Sequence, residues 1–434
     1  MSVTAAQRRL SPNEVSGAGP TVVGSHFRGV VDPRLLERAL TMLTSKHALL
    51  RTRIVRDRRR YLVRVIDDFT PELVVRHNDT DPFLTLANEP WRAERSVFRA
   101  VLSLDNRING HVQGPGGTLL LAIDHAVTDG RSKQAMLEEL WDHYTTLASG
   151  GDLRPRRSND LGNPTETRLA GRFSAQDLAT FTADFEDRLA RVEPAALPTA
   201  AAPDLNQTPT FGLIPIPLDR DQTTSLVATA RASGFSVHAM LSGAILVAFR
   251  KHLTPSTGRL HLAELVPIDL RPRLTPPLAA NTLTQCVSMI TVGGAVTEQD
   301  DPLTVGRMIA GELNHAIESD EILKMVLLPR SWPLFFMFKR TNVATVLVSN
   351  LGVVPKPVTP SAVHITSVRN FALPRGPLPA IFVRTMDGRL SGDLVYNHAY
   401  FTDDQMTQLA NDIEANLTSV SPDGLADAMA STTG

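Results

Sequence analysis

The sequence predicts a mixed α/β protein, and three features carry that prediction. Helical and strand periodicities occur in both halves of the chain. Hydrophobic residues make up 42% and charged residues 21% of the 434 positions, ordinary values for a globular protein. No repeat of roughly 20–50 residues is present, which excludes a solenoid or propeller. At about 150 residues per domain the length allows two or three units.

Taken in chain order, Asp32-Pro33 reads as an N-cap followed by proline at the first helical position, with Leu35, Leu36, Ala39, Leu40 and Leu43 at helical spacing behind it. Residues 51–56 and 61–66 alternate like two strands, and Asp57-Arg58-Arg59-Arg60 between them reads as a solvated hairpin tip, with anion binding as the alternative. Residues 118–123 form an apolar run that reads as a buried strand, and an amphipathic helix begins after Gly130 with Met136, Leu137, Leu140, Trp141 and Tyr144 on one face. Residues 150–167 read as a loop, and the Ala/Pro-rich stretch 194–209 as a linker. The expected boundary falls there, giving domains 1–195 and 196–434.

Beyond it, helices are expected over 221–231 and 237–249, a strand over 262–270, and a short strand over 345–348 ending in Ser349-Asn350-Leu351-Gly352. Asp387-Gly388 between two apolar runs is a two-residue hairpin signal. Thr402 caps a last helix that turns Met406, Leu409, Ile413 and Leu417 inward.

Charge and cysteine content exclude several function classes. Forty-four basic against forty-five acidic side chains leave a net charge of −1, so there is no electrostatic footprint for nucleic acid or an anionic membrane surface. Cys286 is the sole cysteine, which excludes an intramolecular disulfide and a cysteine zinc cluster and fits a reducing compartment. The N-terminal residues carry charge without an apolar core behind them, and the longest greasy stretch, 239–249, is about half the length of a ~20-residue membrane span. A soluble, cytoplasmic protein is expected.

The chemistry concentrates at Asp124-His125-Ala126-Val127-Thr128-Asp129-Gly130, where the buried strand ends and the helix starts. Such turns present groups to a cleft from a rigid scaffold. Histidine is the common general base near neutral pH. Asp129 has three readings: it orients the imidazole, pairs with a cation, or caps the helix. No third metal ligand lies nearby except Asp124, so no metal site is expected. There is no G-x-S-x-G elbow, P-loop or dinucleotide fingerprint.

The stretch His125-Ala-Val-Thr-Asp129-Gly130 resembles the HHxxxDG motif of the condensation-domain-like acyltransferase superfamily, which includes chloramphenicol acetyltransferase, the condensation domains of peptide synthetases and the plant BAHD acyltransferases. Other landmarks follow in order. Lys46-His47-Ala-Leu-Leu-Arg51-Thr52 is similar to "RHpaLRT", and Val266-Pro-Ile-Asp269-Leu-Arg271-Pro-Arg273 to "PvDLRpr". Ser349-Asn350-Leu-Gly352 is similar to the late strand-and-turn motif. The resemblance runs from about Arg9 to Leu417 and is nearest to the polyketide-associated, phthiocerol/phthiodiolone dimycocerosyl transferase-like group.

That resemblance implies two chloramphenicol-acetyltransferase-like halves with a substrate tunnel between them, and a monomer. It implies His125 as general base, with Asp129, Gly130 and Arg271 supporting the site, Arg271 as the partner of Asp129, and Gly130 permitting a tight turn. Asp124 stands where the motif has its first histidine, and a carboxylate there is expected to raise the pKa of His125. Ser349, Asn350 and Asp124 are candidates for substrate or oxyanion contacts. Met289, Phe335, Phe336 and Phe338 are candidates for setting the acyl chain length, with core packing the favoured reading of the aromatics, and Arg330, Lys339 and Arg340 are candidates for docking a carrier protein, with scattered surface charge as the default reading. The implied reaction moves an acyl group from acyl-CoA or a phosphopantetheinyl acyl carrier protein to a polyketide-like or lipid alcohol. It needs no cofactor and no acyl-enzyme. The alternatives are an amide-forming N-acyltransferase and a non-catalytic recruitment module.

Overall fold

The computed structural model describes residues 6–105, 115–199, 208–328, 343–374 and 376–420. Seven strands precede the middle of the chain: β1 (Gln7–Arg9), β2 (Pro20–Gly29), β3 (Thr52–Asp57), β4 (Arg60–Val65), β5 (Leu73–His77), β6 (Phe98–Asp105) and β7 (Gly116–Asp124). Seven follow: β8 (Phe211–Pro217), β9 (Leu260–Asp269), β10 (Val287–Val296), β11 (Val346–Val353), β12 (Val363–Ala372), β13 (Ala380–Met386) and β14 (Arg389–Asn397). Interspersed helices make this the mixed α/β protein that the sequence predicts.

The chain forms two compact units. The first comprises Met1–Ala170, Asp269–Val287 and Pro355–Leu373; the second comprises Gly171–Ile268, Ser288–Val354 and Pro374–Gly434. The boundary expected at 195/196 lies inside the second unit, and the first takes two segments from the far end of the sequence. Sheet pairing is the physical reason. β12 runs antiparallel to β2, with Thr21 opposite Ala372 and Gly29 opposite Val363, so a late strand completes an early sheet.

In the first unit the five-stranded sheet has the order β12-β2-β7-β6-β5, and a three-stranded sheet has the order β1-β4-β3. β7 is buried at all nine positions because it lies between β2 and β6, which explains its unbroken apolar run. Helix Pro33–Lys46 starts at Asp32, whose carboxylate accepts the Arg34 N–H at 2.8 Å, and buries the expected leucine stripe. Helix Gly130–Ala148 is fixed to the sheet by Trp141. Its indole N–H donates to Ser25 Oγ at 2.9 Å, and its ring meets Phe27 edge-on at 5.7 Å. Truncating such a residue to alanine costs about 3–5 kcal/mol. Arg51 is buried and donates to Thr44 O at 2.8 Å and to Ser158 O, fastening the 150–167 loop to the end of helix Pro33–Lys46.

The basic hairpin tip is as expected: Arg58 takes a left-handed φ of +52°, and Arg58, Arg59 and Arg60 are exposed. Residues 165–168 form a helical turn within the expected loop.

The second unit holds a six-stranded sheet of order β10-β9-β11-β13-β14-β8. Helix Val237–Lys251 is buried along most of its length. Its Gly243 lies against helix Pro302–Glu318 so closely that a Cβ there would stand 2.0 Å from Pro302 O, so glycine sets that crossing. The β13–β14 hairpin turns through Asp387 and Gly388 at φ +50° and +74°. Thr402 caps the last helix, Asp403–Ser419, and the four predicted residues face inward.

Two features differ from expectation here. Helix Ala175–Arg191, capped by Ser174, was not legible as a separate element. β11 continues through Ser349-Asn350-Leu351-Gly352, with a bulge between Asn350 and Val353, where the sequence suggested that the strand stops. Among the described residues no single helix is long and apolar enough to cross a membrane. Residues 329–342, which carry Arg330, Phe335, Phe336, Phe338, Lys339 and Arg340, lie outside the described residues, as does 200–207 of the expected linker.

Candidate active site

The site is built where β7 leaves the sheet. The Asp124–Val127 turn closes with Val127 N–H donating to Asp124 O at 3.0 Å, and His125 N–H donates to Gly19 O at 2.7 Å. Gly19 has φ +143°, a conformation suited to glycine, and its own N–H donates to the Asp124 carboxylate at 3.1 Å.

Asp124 is buried and accepts two further bonds, from Ala126 N at 2.9 Å and from the Trp91 indole at 2.8 Å. Burial raises its pKa against the pull of these three donors. Both oxygens are therefore committed to protein groups that shape the turn, and the suggested substrate contact at Asp124 finds no support in this geometry.

His125 keeps a partly accessible side chain, and its Nδ1 lies 2.7 Å from Thr128 O. A carbonyl oxygen only accepts, so Nδ1 carries the proton and Nε2 the lone pair. The pKa of His125 is lowered, first by burial and then by the Lys133 ammonium, with Asp129 opposing. This corrects the expectation that Asp124 raises it: desolvation and a cation outweigh the neighbouring carboxylate, which is already held by three donors. At neutral pH the imidazole is uncharged and competent to accept a proton at Nε2.

Asp129 performs two of its three suggested roles, one with each oxygen. Oδ1 accepts Ser132 N at 2.9 Å and Ser132 Oγ at 3.0 Å, capping helix Gly130–Ala148. Oδ2 accepts Arg271 Nη1 at 2.7 Å and Cys286 N at 2.8 Å. Burial pushes this carboxyl up, but Arg271 and the backbone donors outweigh it and hold the pKa below the usual range. Burial works the other way on Arg271, and Asp129 more than offsets it, so the guanidinium stays charged. Arg271 also donates to Asp269 Oδ1 at 3.1 Å and to Thr282 O and Thr284 O, each at 3.2 Å. Gly130 is the helix's first residue and has no left-handed φ; the tight turn lies upstream of it.

Three side chains that the sequence reading passed over complete the site. Trp91 holds Asp124. Lys133 is buried, donates to Phe371 O at 2.7 Å, and has its pKa lowered by burial to about 7. Its spacing to Leu137, Leu140 and Tyr144 places it on the buried stripe of the helix, a signal present in the sequence. Gln285 Nε2 lies 3.5 Å from His125 Nδ1.

Ser349 and Asn350 belong to the second unit. Asn350 Oδ1 accepts Gly352 N–H at 2.8 Å, and Gly352 takes φ +69°, so Asn350 shapes the β11 bulge. No cluster of three metal-ligating side chains exists among the described residues. A surface cavity of about 430 Å³ edged by Gln7, Arg8, Asn159 and Arg168 does not have His125 in its wall.

Known proteins resemble this chain in sequence and fold. Residues 208–407 match the family described as phthiocerol/phthiodiolone dimycocerosyl transferase C-terminus. A phthiocerol/phthiodiolone dimycocerosyl transferase of Mycobacterium leprae is 26% identical over 305 residues, 67% of this chain and 68% of that protein. The fold matches polyketide synthase associated protein 5 of Mycobacterium tuberculosis with a TM-score of 0.72 at 19% identity, over 96% of this chain and 98% of the other. It also matches the trichothecene 15-O-acetyltransferase TRI3 of Fusarium sporotrichioides with a TM-score of 0.75 at 13% identity, over 96% and 95%. Condensation domains of peptide synthetases share the fold as well. Over residues 208–407 the chain is thus similar in sequence to the dimycocerosyl transferases, and its fold is that of condensation-domain and acetyltransferase structures. In this chain the HxxxDG segment occupies the strand-to-helix turn described above, and the arginine of the Asp-Leu-Arg stretch pairs with the aspartate of that segment.

Proposed function

We propose that the protein is an O-acyltransferase that moves an acyl group from an acyl-CoA or acyl-carrier-protein thioester to a hydroxyl of a polyketide-like or lipid alcohol. The observation that carries the chemistry is the Nδ1–H bond of His125 to Thr128 O, which leaves the Nε2 lone pair free on a neutral ring. His125 Nε2 takes the proton as the acceptor's O–H bond breaks and its oxygen bonds to the thioester carbonyl carbon. The tetrahedral intermediate then collapses with loss of the C–S bond, and the imidazolium returns the proton to the leaving thiolate. No side-chain nucleophile takes part, so no acyl-enzyme forms. The likeness to a dimycocerosyl transferase and a 15-O-acetyltransferase supports an ester product over an amide.

The test is thiol release from a panel of short and long acyl thioesters, with and without an alcohol, in wild type and His125→Ala. Acceptor-dependent release that disappears in a folded His125→Ala protein is the expected result. Release that survives the substitution refutes the role of His125. A recruitment module would release no thiol in either protein.

A further inference from the structure

Gln285 is a buried polar residue whose side chain meets the imidazole of His125. The backbone on both sides of it is fastened to the motif. Thr284 O accepts Ser132 Oγ at 3.3 Å and Arg271 Nη2 at 3.2 Å, Cys286 N–H donates to Asp129 Oδ2 at 2.8 Å, and Gln285 O accepts Thr165 Oγ1 at 2.8 Å. The Asp129–Arg271 pair thus clamps the very segment that presents Gln285. Beside the carboxamide lies Gly17, where a Cβ would stand 1.9 Å from Gln285 Nε2, so a side chain there would displace the amide.

The sense of the amide follows from its neighbours. Nδ1 of His125 is a donor, because Thr128 O at 2.7 Å can only accept. An NH2 group facing that N–H is repulsive. With Oε1 turned toward Nδ1–H, the carboxamide becomes its second acceptor, and the NH2 takes the other end of the amide. That other end is buried without a hydrogen-bond partner among the described residues. A buried N–H donor without a partner among the described residues, on a side chain that meets His125, is suited to stabilise charge developing on a carbonyl oxygen.

We infer that Gln285 is a further catalytic residue, whose carboxamide N–H donates to the thioester carbonyl oxygen while its Oε1 steadies His125. The inference rests on the acyltransfer reading above. As the alcohol oxygen adds, the carbonyl π electrons move onto that oxygen, and the Gln285 N–H bond to it strengthens. No proton is transferred to or from Gln285.

The test measures turnover and analogue binding in wild type, Gln285→Leu, Gly17→Ala and His125→Ala. Gln285→Leu is expected to lower kcat by about 10²–10³-fold with KM little changed. Gly17→Ala displaces the amide without removing it and is expected to lower kcat in the same direction, which carries the test if the leucine variant fails to fold. Binding separates catalysis from a merely structural role. Wild type is expected to prefer S-acetonyl-CoA, which has a ketone, over S-isobutyl-CoA, which has the same shape without the carbonyl. Gln285→Leu is expected to bind the two equally. A folded Gln285→Leu enzyme with turnover within threefold of wild type, or with the ketone preference intact, overturns the inference. If that occurs while His125→Ala is inactive, the general base stands and only the role of Gln285 falls. Activity in His125→Ala removes the reading on which both rest.

Discussion

Replacing Arg271 by methionine keeps most of the side chain's volume and removes its charge from a site where both ionic partners are almost fully enclosed, at 3% and 4% side-chain exposure. Burial at that level leaves little solvent screening to weaken the effect. Removing one partner of a buried pair costs about 3–5 kcal/mol, because the other charge is left uncompensated. Asp129 would retain three donors, Ser132 N, Ser132 Oγ and Cys286 N, so the lower end, about 3 kcal/mol, is expected. Urea denaturation followed by tryptophan fluorescence is the assay, since Trp91 and Trp141 both lie in the first unit. The pH dependence sharpens it. In wild type the Asp129 carboxyl titrates below its unfolded value of about 3.9. Its contribution is therefore fully present above that value and is lost as pH falls through the folded pKa. Without Arg271, burial dominates and raises the carboxyl above its unfolded value, so the sign of its contribution reverses and the variant regains part of its lost stability as pH falls through the raised pKa. Adding Asp129→Asn should recover part of the loss, because the neutral amide no longer needs a cation. An Arg271→Met protein within 1 kcal/mol of wild type, with an unchanged acid limb, would show that this pair does not hold the site.

Lys133 gives a pH signature of the same sign in the alkaline range. Its folded pKa of about 7 lies below the unfolded ~10.4, so wild-type stability should rise with pH between those values, by up to about 1.4 kcal/mol per unit, and Lys133→Met should lack that slope in urea midpoints. The acid limb of kcat/KM should lie below the ordinary histidine value of about 6.5, since burial and Lys133 lower the pKa of His125. It should move upward in Lys133→Met, as read from a pH–rate profile. Trp91→Phe removes the indole donor to Asp124 and leaves a buried carboxylate oxygen unpaired, for a loss of about 1–3 kcal/mol in the same denaturation assay. Ser132→Ala removes half of a capping box and should cost about 1 kcal/mol.

Much of the site is local and was legible without a structure. The apolar run of β7, the turn at His125 and the capping Asp129 are set by residues within a few positions of one another. The helix stripe also held Lys133, but a lysine among leucines is usually read as a charged head reaching solvent, and only burial shows otherwise. The end of β11 was misread because Ser-Asn-Leu-Gly has turn composition, whereas the sheet continues through it by a bulge. The N-terminal and C-terminal halves of the sequence are not the two structural units, because strand pairing between β2 and β12 is invisible to any window of a few residues.

What the sequence determined by itself is therefore the local frame. It set most of the elements, a histidine at the end of a buried strand, and an aspartate able either to cap a helix or to pair with a cation. Tertiary structure decided how those alternatives were combined. Arg271, 142 residues away in sequence, takes one oxygen of Asp129 while the helix cap takes the other. Gln285, 160 residues from His125, arrives at the imidazole only because that clamp holds its backbone. The ionisation of the site was decided the same way. Neighbours in sequence suggested a histidine made more basic by Asp124, but the energy of a charge depends on what surrounds it in space. Burial and the Lys133 ammonium make the neutral ring the stable form.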